Sequence, residues 1–269
     1  MPSYSLSRPF SYSSLTVFEQ CPAKYKFYYL DGILKPQESI EAFLGRRVHE
    51  TMEFLYKQVN TNGPPLFDTV LEDFHYRWEN EWHSDLIFVN QFLSVRDYYD
   101  LGIKCLAWYY RKYHPFNEPV VELEAEMLFT IGNDDKYKFK GIADRLEDHG
   151  DGVWEIHDYK TSKRALTQRA ADKDRQLSLY HMGLLQNKEN VKEVRLVWHF
   201  MRVGITVRSR RDNDQLHYMT ISIQKKINKI TETIKNGGPF PAVQTPLCNW
   251  CYYWVECPAK TRNNPFVKS

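Results

Sequence analysis

Across residues 41–59 the apolar positions Leu44, Val48, Met52, Leu55 and Val59 recur every three or four residues. That is the period of one buried helix face, and breakers at residues 60–65 end it. Ahead of this helix, a shorter one is expected to begin near Ser13 or Ser14, whose hydroxyls suit an N-cap, and to run toward Cys21-Pro22. Leu71, Phe74, Trp78 and Trp82 mark a further helix. Tyr98, Leu101, Cys105 and Trp108 mark another, which stops before His114-Pro115 because a residue preceding proline is turned away from helical backbone.

At Pro119 the period changes from helical to two. Val121, Leu123, Ala125, Met127 and Phe129 alternate with Glu122, Glu124 and Glu126, the pattern of a strand with one polar face. Turns at residues 132–135 and 148–152 lead to strands through Phe139 and Ile142 and through Trp154, Ile156 and Asp158, so the three form an antiparallel meander. A helix at residues 176–186, a strand at 194–200 and a hairpin near 211–214 follow. Ile223, Ile227, Ile230 and Ile234 close the series with a last helix. Helices, then a meander, then a helix and another strand argue an α/β fold around a mixed central sheet.

With 269 residues and 42% hydrophobic content the chain can bury one substantial core. A formal net charge of +2 neither demands nor excludes nucleic acid, because clustering of charge matters more than its sum. No apolar run is long enough to span a bilayer, and the first residues lack the apolar stretch of an export signal, so a cytoplasmic (intracellular) protein is expected. Five cysteines without an export signal favour metal ligation over a disulfide framework. Cys105 stands apart, on the apolar stripe of its helix, as a small buried hydrophobe.

Chemistry concentrates at the ends of the second and third strands. Asp144 follows a glycine in Gly141-Ile142-Ala143-Asp144-Arg145, and Asp158 and Lys160 share one face of the next strand. Two hard oxygen ligands suit Mg²⁺ or Mn²⁺, and a lysine beside them can orient the attacking water or offset charge on a phosphorane. A D-x-K triplet alone is a weak signal, since strands often end in solvated Asp and Lys. His49, beside its helical stripe, and the Gln176/Tyr180 pair on one helix face add context, though each has a plain surface or packing reading. The Glu122, Glu124 and Glu126 series reads first as the polar face of an edge strand, and secondly as a source of one more acid for the metal. Lys163, Arg164, Arg169, Lys173 and Arg175, with a second cluster of Arg208, Arg210 and Arg211, offer salt-dependent phosphate contacts if they border the site.

Ser11-Tyr12-Ser13-Ser14-Leu15, Cys21-Pro22, Gly45 with His49, the run from Gly141 to Arg145, Asp158-Tyr159-Lys160-Thr161, Gln176 with Tyr180, and Cys248-x2-Cys251-x5-Cys257-Pro258 occur in that order. Together they resemble the RecB-type branch of the PD-(D/E)XK nuclease superfamily, in its iron-sulfur members, which include CRISPR-associated RecB-like exonucleases and AddB-type nuclease domains. The resemblance covers nearly the whole chain. It implies a restriction-endonuclease-like fold with a helical insertion at about residues 60–115 and a terminal iron-sulfur clasp. It implies that His49, Asp144 and Asp158 bind Mg²⁺ or Mn²⁺ with help from the Tyr159 carbonyl, and that Lys160 is the catalytic lysine. Gln176 and Tyr180, with Arg145 and Thr161 beside the motifs, are the expected DNA-contacting residues. Cys21, Cys248, Cys251 and Cys257 are implied to hold a [4Fe-4S] cluster, although four thiolates at this spacing suit zinc equally well on chemistry alone.

The function expected is a divalent-metal-dependent DNA exonuclease or end-processing nuclease acting on single-stranded ends or flaps, with a helicase or CRISPR-adaptation proteins as partners. A DNA-binding partner subunit with little activity of its own is the alternative from another class; retention of Asp144, Asp158 and Lys160 weighs against it, because paired carboxylates are unfavourable unless a cation neutralises them. RNA as substrate stays open, since nothing in the sequence identifies a reader of the ribose 2′-hydroxyl.

Overall fold

A computed structural model of the chain describes residues 8–259. Helix α1 (Tyr12–Gln20) starts slightly earlier than its hydroxyl-rich sequence suggests, because Ser11 and Ser14 cap each other reciprocally: the Ser11 side chain accepts the Ser14 N–H while Ser14 accepts the Ser11 N–H. The short α2 (Pro22–Tyr25) and a π-helical turn (Lys26–Leu30) follow. Strand β1 (Glu38–Ser39) leads into α3 (Ile40–Asn62), capped by Ser39, and then come α4 (Phe67–Asn80), β2 (Leu86–Ile87) and α5 (Val95–Tyr113). The stretch expected as a helical insertion, about residues 60–115, holds α4, β2 and α5, and β2 pairs in parallel with β1 from before α3.

Five strands form the main sheet: β3 (Val120–Thr130), β4 (Lys138–Asp148), β5 (Val153–Lys160), β6 (Glu193–Phe200) and β7 (Ile205–Arg210), in that spatial order. Only β5 and β6 are parallel, and α7 (Arg175–Asn187) makes the crossover between them after the one-turn α6 (Gln168–Ala171). The meander is as the sequence suggests, and the sheet is mixed. The expected hairpin near residues 211–214 is displaced: β6 turns at 201–204 into β7, and Asp212 instead caps α8 (Asn213–Lys235), its side chain accepting the Gln215 N–H.

Two apolar clusters cover the sheet. One gathers α1, α7 and α8 around Phe129, Phe139, Ile156, Leu196 and the isoleucine stripe of α8. The other gathers α3, α4 and α5 around Phe43, Met52, Phe74 and Tyr109, and takes in Tyr159 of β5. Cys105 is fully buried in the second cluster, and burial pushes its thiol up to about 12, so it acts as packing. Among the described residues no helix is long and apolar enough to cross a membrane.

Candidate metal and nuclease centre

The β4–β5 ladder pairs only Arg145 to Asp148 of β4 with Trp154 to His157 of β5. Beyond it the strands part, and the Asp144 carboxylate takes over from the ladder by accepting the Tyr159 N–H at 2.7 Å. A buried backbone donor is thereby satisfied and the carboxylate fixed in one stroke. From α3, His49 reaches both strands: its Nε2 lies 2.8 Å from the Tyr159 carbonyl oxygen and its Nδ1 3.4 Å from Asp144 Oδ2.

Asp158 and Lys160, two positions apart on β5, face the same way. Lys160 Nζ lies 2.8 and 2.7 Å from the two Asp158 oxygens, and it also donates to Gln176 Oε1 on α7 at 3.2 Å. The Gln176 amide in turn donates to Asp158 and to the Tyr180 hydroxyl, each at 3.2 Å. Tyr180 is nearly buried, its ring lying where a Cβ on Gly141 would come within 2.8 Å, so the glycine before Asp144 is needed for close approach of α7 to β4. Thr161 sits next to α3, with Oγ1 3.7 Å from where a Gly45 Cβ would stand.

Glu124 joins this group. His49, Glu124 and Asp144 each offer a ligand atom within 4.8 Å of the others. Glu122 and Glu126 keep the plain role of a polar edge, paired with Lys188 and Lys140 respectively. The distinction was invisible in the alternation because Glu124 adopts φ 47, a left-handed backbone that a strand pattern does not encode. Glu50 and Glu53 of α3 line the same cleft of about 350 Å³ with Gly45, Arg46, His49 and Glu124, and were not singled out by sequence either.

Electrostatically the centre is short of positive charge. Desolvation raises Glu124 to about 7, with Asp144, Glu53 and Glu50 adding and His49 opposing. Burial raises Asp158 to about 6, Asp144 adding and Lys160 opposing. Burial disfavours a charged His49, yet the Asp144 carboxylate, its hydrogen bond and Asp158 lift the ring to about 9. Burial also works against Asp144 ionising, but His49, the Tyr159 N–H and Lys160 hold its carboxyl below the ordinary range. Lys160 is held above its ordinary value by Asp158 and Asp144, against burial. Three carboxylates crowded beside one imidazole in this way form a donor set that fits a hard dication, which would relieve their mutual repulsion.

Two groups of expected DNA-contacting residues separate here. Arg145 is a correction: it is fully buried, its guanidinium 4.3 Å from the Tyr56 ring and 2.8 Å from Glu147, and no nucleic acid can reach it. Arg211 is also buried, donating to Ser178, Ser209 and the Ala171 carbonyl, so it braces α7 and β7. Lys163, Arg164, Arg169 and Lys173 are exposed in and after the loop that follows Lys160, whereas Arg175 is tied to Glu19 at 2.7 Å.

Residues 21–35 and 241–256 come together. Cys21 lies between α1 and α2; Cys248 lies in a 3₁₀ turn (Pro246–Trp250), and Cys251 ends that turn, its N–H donating to the Cys248 carbonyl at 3.0 Å. Burial pushes the Cys251 thiol up, and the nearby Cys21 and Cys248 add to the effect. Ala23 N–H donates to the Pro241 carbonyl, Tyr253 donates to the Ile33 carbonyl at 2.7 Å, and Lys35 pairs with Glu256, stitching the C-terminal segment to the N-terminal helices. Cys257 is half-buried in the same segment.

The model of the PD-(D/E)XK nuclease superfamily matches residues 9–258. Among solved structures, a candidate exonuclease from Eubacterium rectale is 15% identical, with a TM-score of 0.53, over 91% of this chain and 86% of that one. The structure of SSO0001 is 17% identical with a TM-score of 0.34, over 90% of this chain and 96% of that one. At these identities the first likeness concerns the fold alone. No curated protein matches the sequence.

Proposed function

The chain belongs to the PD-(D/E)XK nuclease superfamily, and from that premise we propose that it is a DNA exonuclease or end-processing nuclease that hydrolyses phosphodiesters at single-stranded ends or flaps. The observation that supports the reading is the pairing of His49 with Asp144 around the Tyr159 backbone and of Asp158 with Lys160 beside it on β5, the two pairs bearing electrostatically on each other.

His49, Asp144, Asp158, the Tyr159 carbonyl and Glu124 would hold Mg²⁺ or Mn²⁺. When bound, the ion supplies charge neutralisation at the scissile phosphate and a more acidic water. Lys160 donates toward the phosphate oxygens as charge develops, and Asp158 keeps its ammonium in place. Gln176 holds both of them from α7, and Tyr180 anchors Gln176. The exposed Lys163, Arg164, Arg169 and Lys173 beside the site supply sequence-independent phosphate contacts along an incoming strand.

The four cysteines Cys21, Cys248, Cys251 and Cys257 are read as ligands of a structural [4Fe-4S] cluster. In support, Cys21 and Cys248 both bear electrostatically on Cys251 although more than 220 residues of sequence separate the first two. A closed thiolate site there would hold together the ends of a very long loop, opposing considerable chain entropy. Cys251→Ser protein is expected to lose iron and soluble yield before it loses chemistry. A helicase or CRISPR-adaptation complex is the partner class this reading suggests.

The decisive experiment is Mn²⁺-dependent digestion of 5′- and 3′-labelled single strands by wild type and Lys160→Ala. Loss of product in the variant with binding intact supports the reading. An undiminished rate would remove Lys160 from the mechanism, and digestion of closed circular duplex at the same rate would remove the preference for ends.

A further inference from the structure

On one edge β4 pairs with β3 along its whole length, but on the other β5 joins it only from Arg145 onward. The freed edge is taken by the chain just before α1. Phe10 bridges Phe139 in parallel, its N–H donating to the Lys138 carbonyl at 2.9 Å and its carbonyl accepting the Lys140 N–H at 2.7 Å. The two strands therefore fork, with Asp144 at the narrow end and Phe10 toward the wide end. Five strand residues, from Phe139 to Asp144, span about 16 Å. A single strand leaving the metal centre along this edge covers that distance in roughly three to five nucleotides, at about 3.4 Å each when stacked and more when stretched.

Beside Phe10 a cleft of about 370 Å³ opens, walled by Phe10, Tyr25, Tyr28, Tyr29 and Leu34. Its volume lies within the range of ligand sites, roughly 300–1,000 Å³. Tyr25, Tyr28 and Tyr29 stand three and four positions apart, which puts their rings on one helical face. The Tyr25 and Tyr29 rings lie 4.8 Å apart at 31°, whereas Tyr28 stands at 77° to Tyr29 and is 40% exposed. Phe10 and Tyr25 belong to the core; Tyr28 and the 73% exposed Leu34 leave apolar surface facing water at the cleft. The backbone carrying the tyrosines is the π-helical turn, in which the Lys26 carbonyl accepts the Asp31 N–H at 2.9 Å, and such turns recur at functional sites. Exposed Arg8 stands at the rim, and the acid in the lining, Asp31, is matched by Lys26 at 2.6 Å.

We propose that this cleft holds one unpaired nucleobase of the substrate strand, stacked on Tyr28, a few nucleotides from the cut phosphate, with Arg8 on the adjoining phosphate. The proposal rests on the nuclease reading and narrows its substrate to a strand already melted for the length of the fork. A base inside a duplex is paired and stacked on both faces, so neither face is open to a ring; an unpaired base gives up much less to enter. Every base has a π-face, so stacking of this kind holds the strand without reading its sequence. Tyrosine suits the rim because its ring is apolar and its hydroxyl stays wet.

The test is the fluorescence of 2-aminopurine placed at each successive position from either end of a DNA single strand, bound to the full-length protein with divalent metal chelated so that nothing is cut. Stacking on an aromatic ring quenches this probe. Quenching is expected at one or two adjacent positions only, to be lost in Tyr28→Ala together with about tenfold in affinity, and to be kept in Tyr28→Phe. If Tyr28→Ala does not fold, Leu34→Asp decides: it puts a carboxylate at an exposed rim position and should abolish the same quench. Quenching spread evenly over all positions, its absence from the wild type, or an unchanged signal in either folded variant overturns the proposal. Binding is read without cleavage, so losing the cleft leaves the nuclease reading standing. A positional quench in a protein that proves unable to cut would keep the cleft and remove that reading.

Discussion

Strand β5 puts two polar clusters back to back. Asp158 and Lys160 open toward α7 and the cleft, while His157 faces Glu147, Glu155 and Arg145 in the interior. Both hold carboxylates and imidazole close together. In the inner cluster Glu147 is brought down to about 2, because His157 and Arg145 outweigh its burial. In the open cluster Asp158 and Glu124 are raised instead, because desolvation and neighbouring acids outweigh Lys160 at the first and His49 at the second. Carboxylates matched by fixed cations belong to the architecture; carboxylates left in excess await a mobile one.

The largest expected effect comes from Asp158→Asn, which should lower hydrolysis by about 10²-fold or more, as losses of transition-state electrostatics do. The same change should raise the melting temperature of the metal-free protein at pH 7. A buried acid whose value is raised to about 6 is destabilised by ionising, and the amide removes that cost. Loss of both activity and stability would contradict the contrast between the clusters. The inner cluster should behave in the opposite way. Arg145→Met leaves Glu147 without its buried guanidinium and should cost about 3–5 kcal/mol in chemical denaturation, with Glu147→Gln in the same chain recovering part of it. A single variant as stable as wild type would mean that Arg145 is not the matching charge.

Next in size is the pH dependence of metal binding. His49 is raised to about 9 and must lose its proton to ligate, so Mn²⁺ affinity measured by calorimetry should climb about tenfold per pH unit from pH 7 toward pH 9. Stability of the metal-free protein runs the other way: the His49–Asp144 interaction is fully present below pH 6.5, the ordinary histidine value, and fades as pH rises through about 9. Flat affinity across that range would remove His49 from the ligand set. The smallest effect is expected from Glu124→Gln, a reduction of Mn²⁺ affinity of about tenfold or less, with cleavage restored by excess metal; an unchanged affinity would return Glu124 to the polar edge of β3.

Much of this is legible in the sequence. Periodicity located α3, α5, α7, α8 and the β3–β5 meander, since each must bury one face and the spacing of apolar residues reports that directly. Motif order singled out His49, Asp144, Asp158, Lys160, Gln176 and Tyr180, which the fold brings together. Failures fell where identity alone leaves direction open. Arg145 and Arg211 read as surface cations and are interior ones; the hairpin was displaced because Asp212 serves as a helix cap and not a turn residue.

What the chain determined by itself was local: which faces are apolar, where helices are capped, and which residue types can bind a dication or transfer charge. Tertiary structure decided which charges meet. Whether Glu124 turns into the cleft and whether Arg145 is sealed behind the sheet depend on strand register and backbone hand. Charge interactions follow the inverse of distance and the local dielectric, and neither is written into a sequence until the chain has packed.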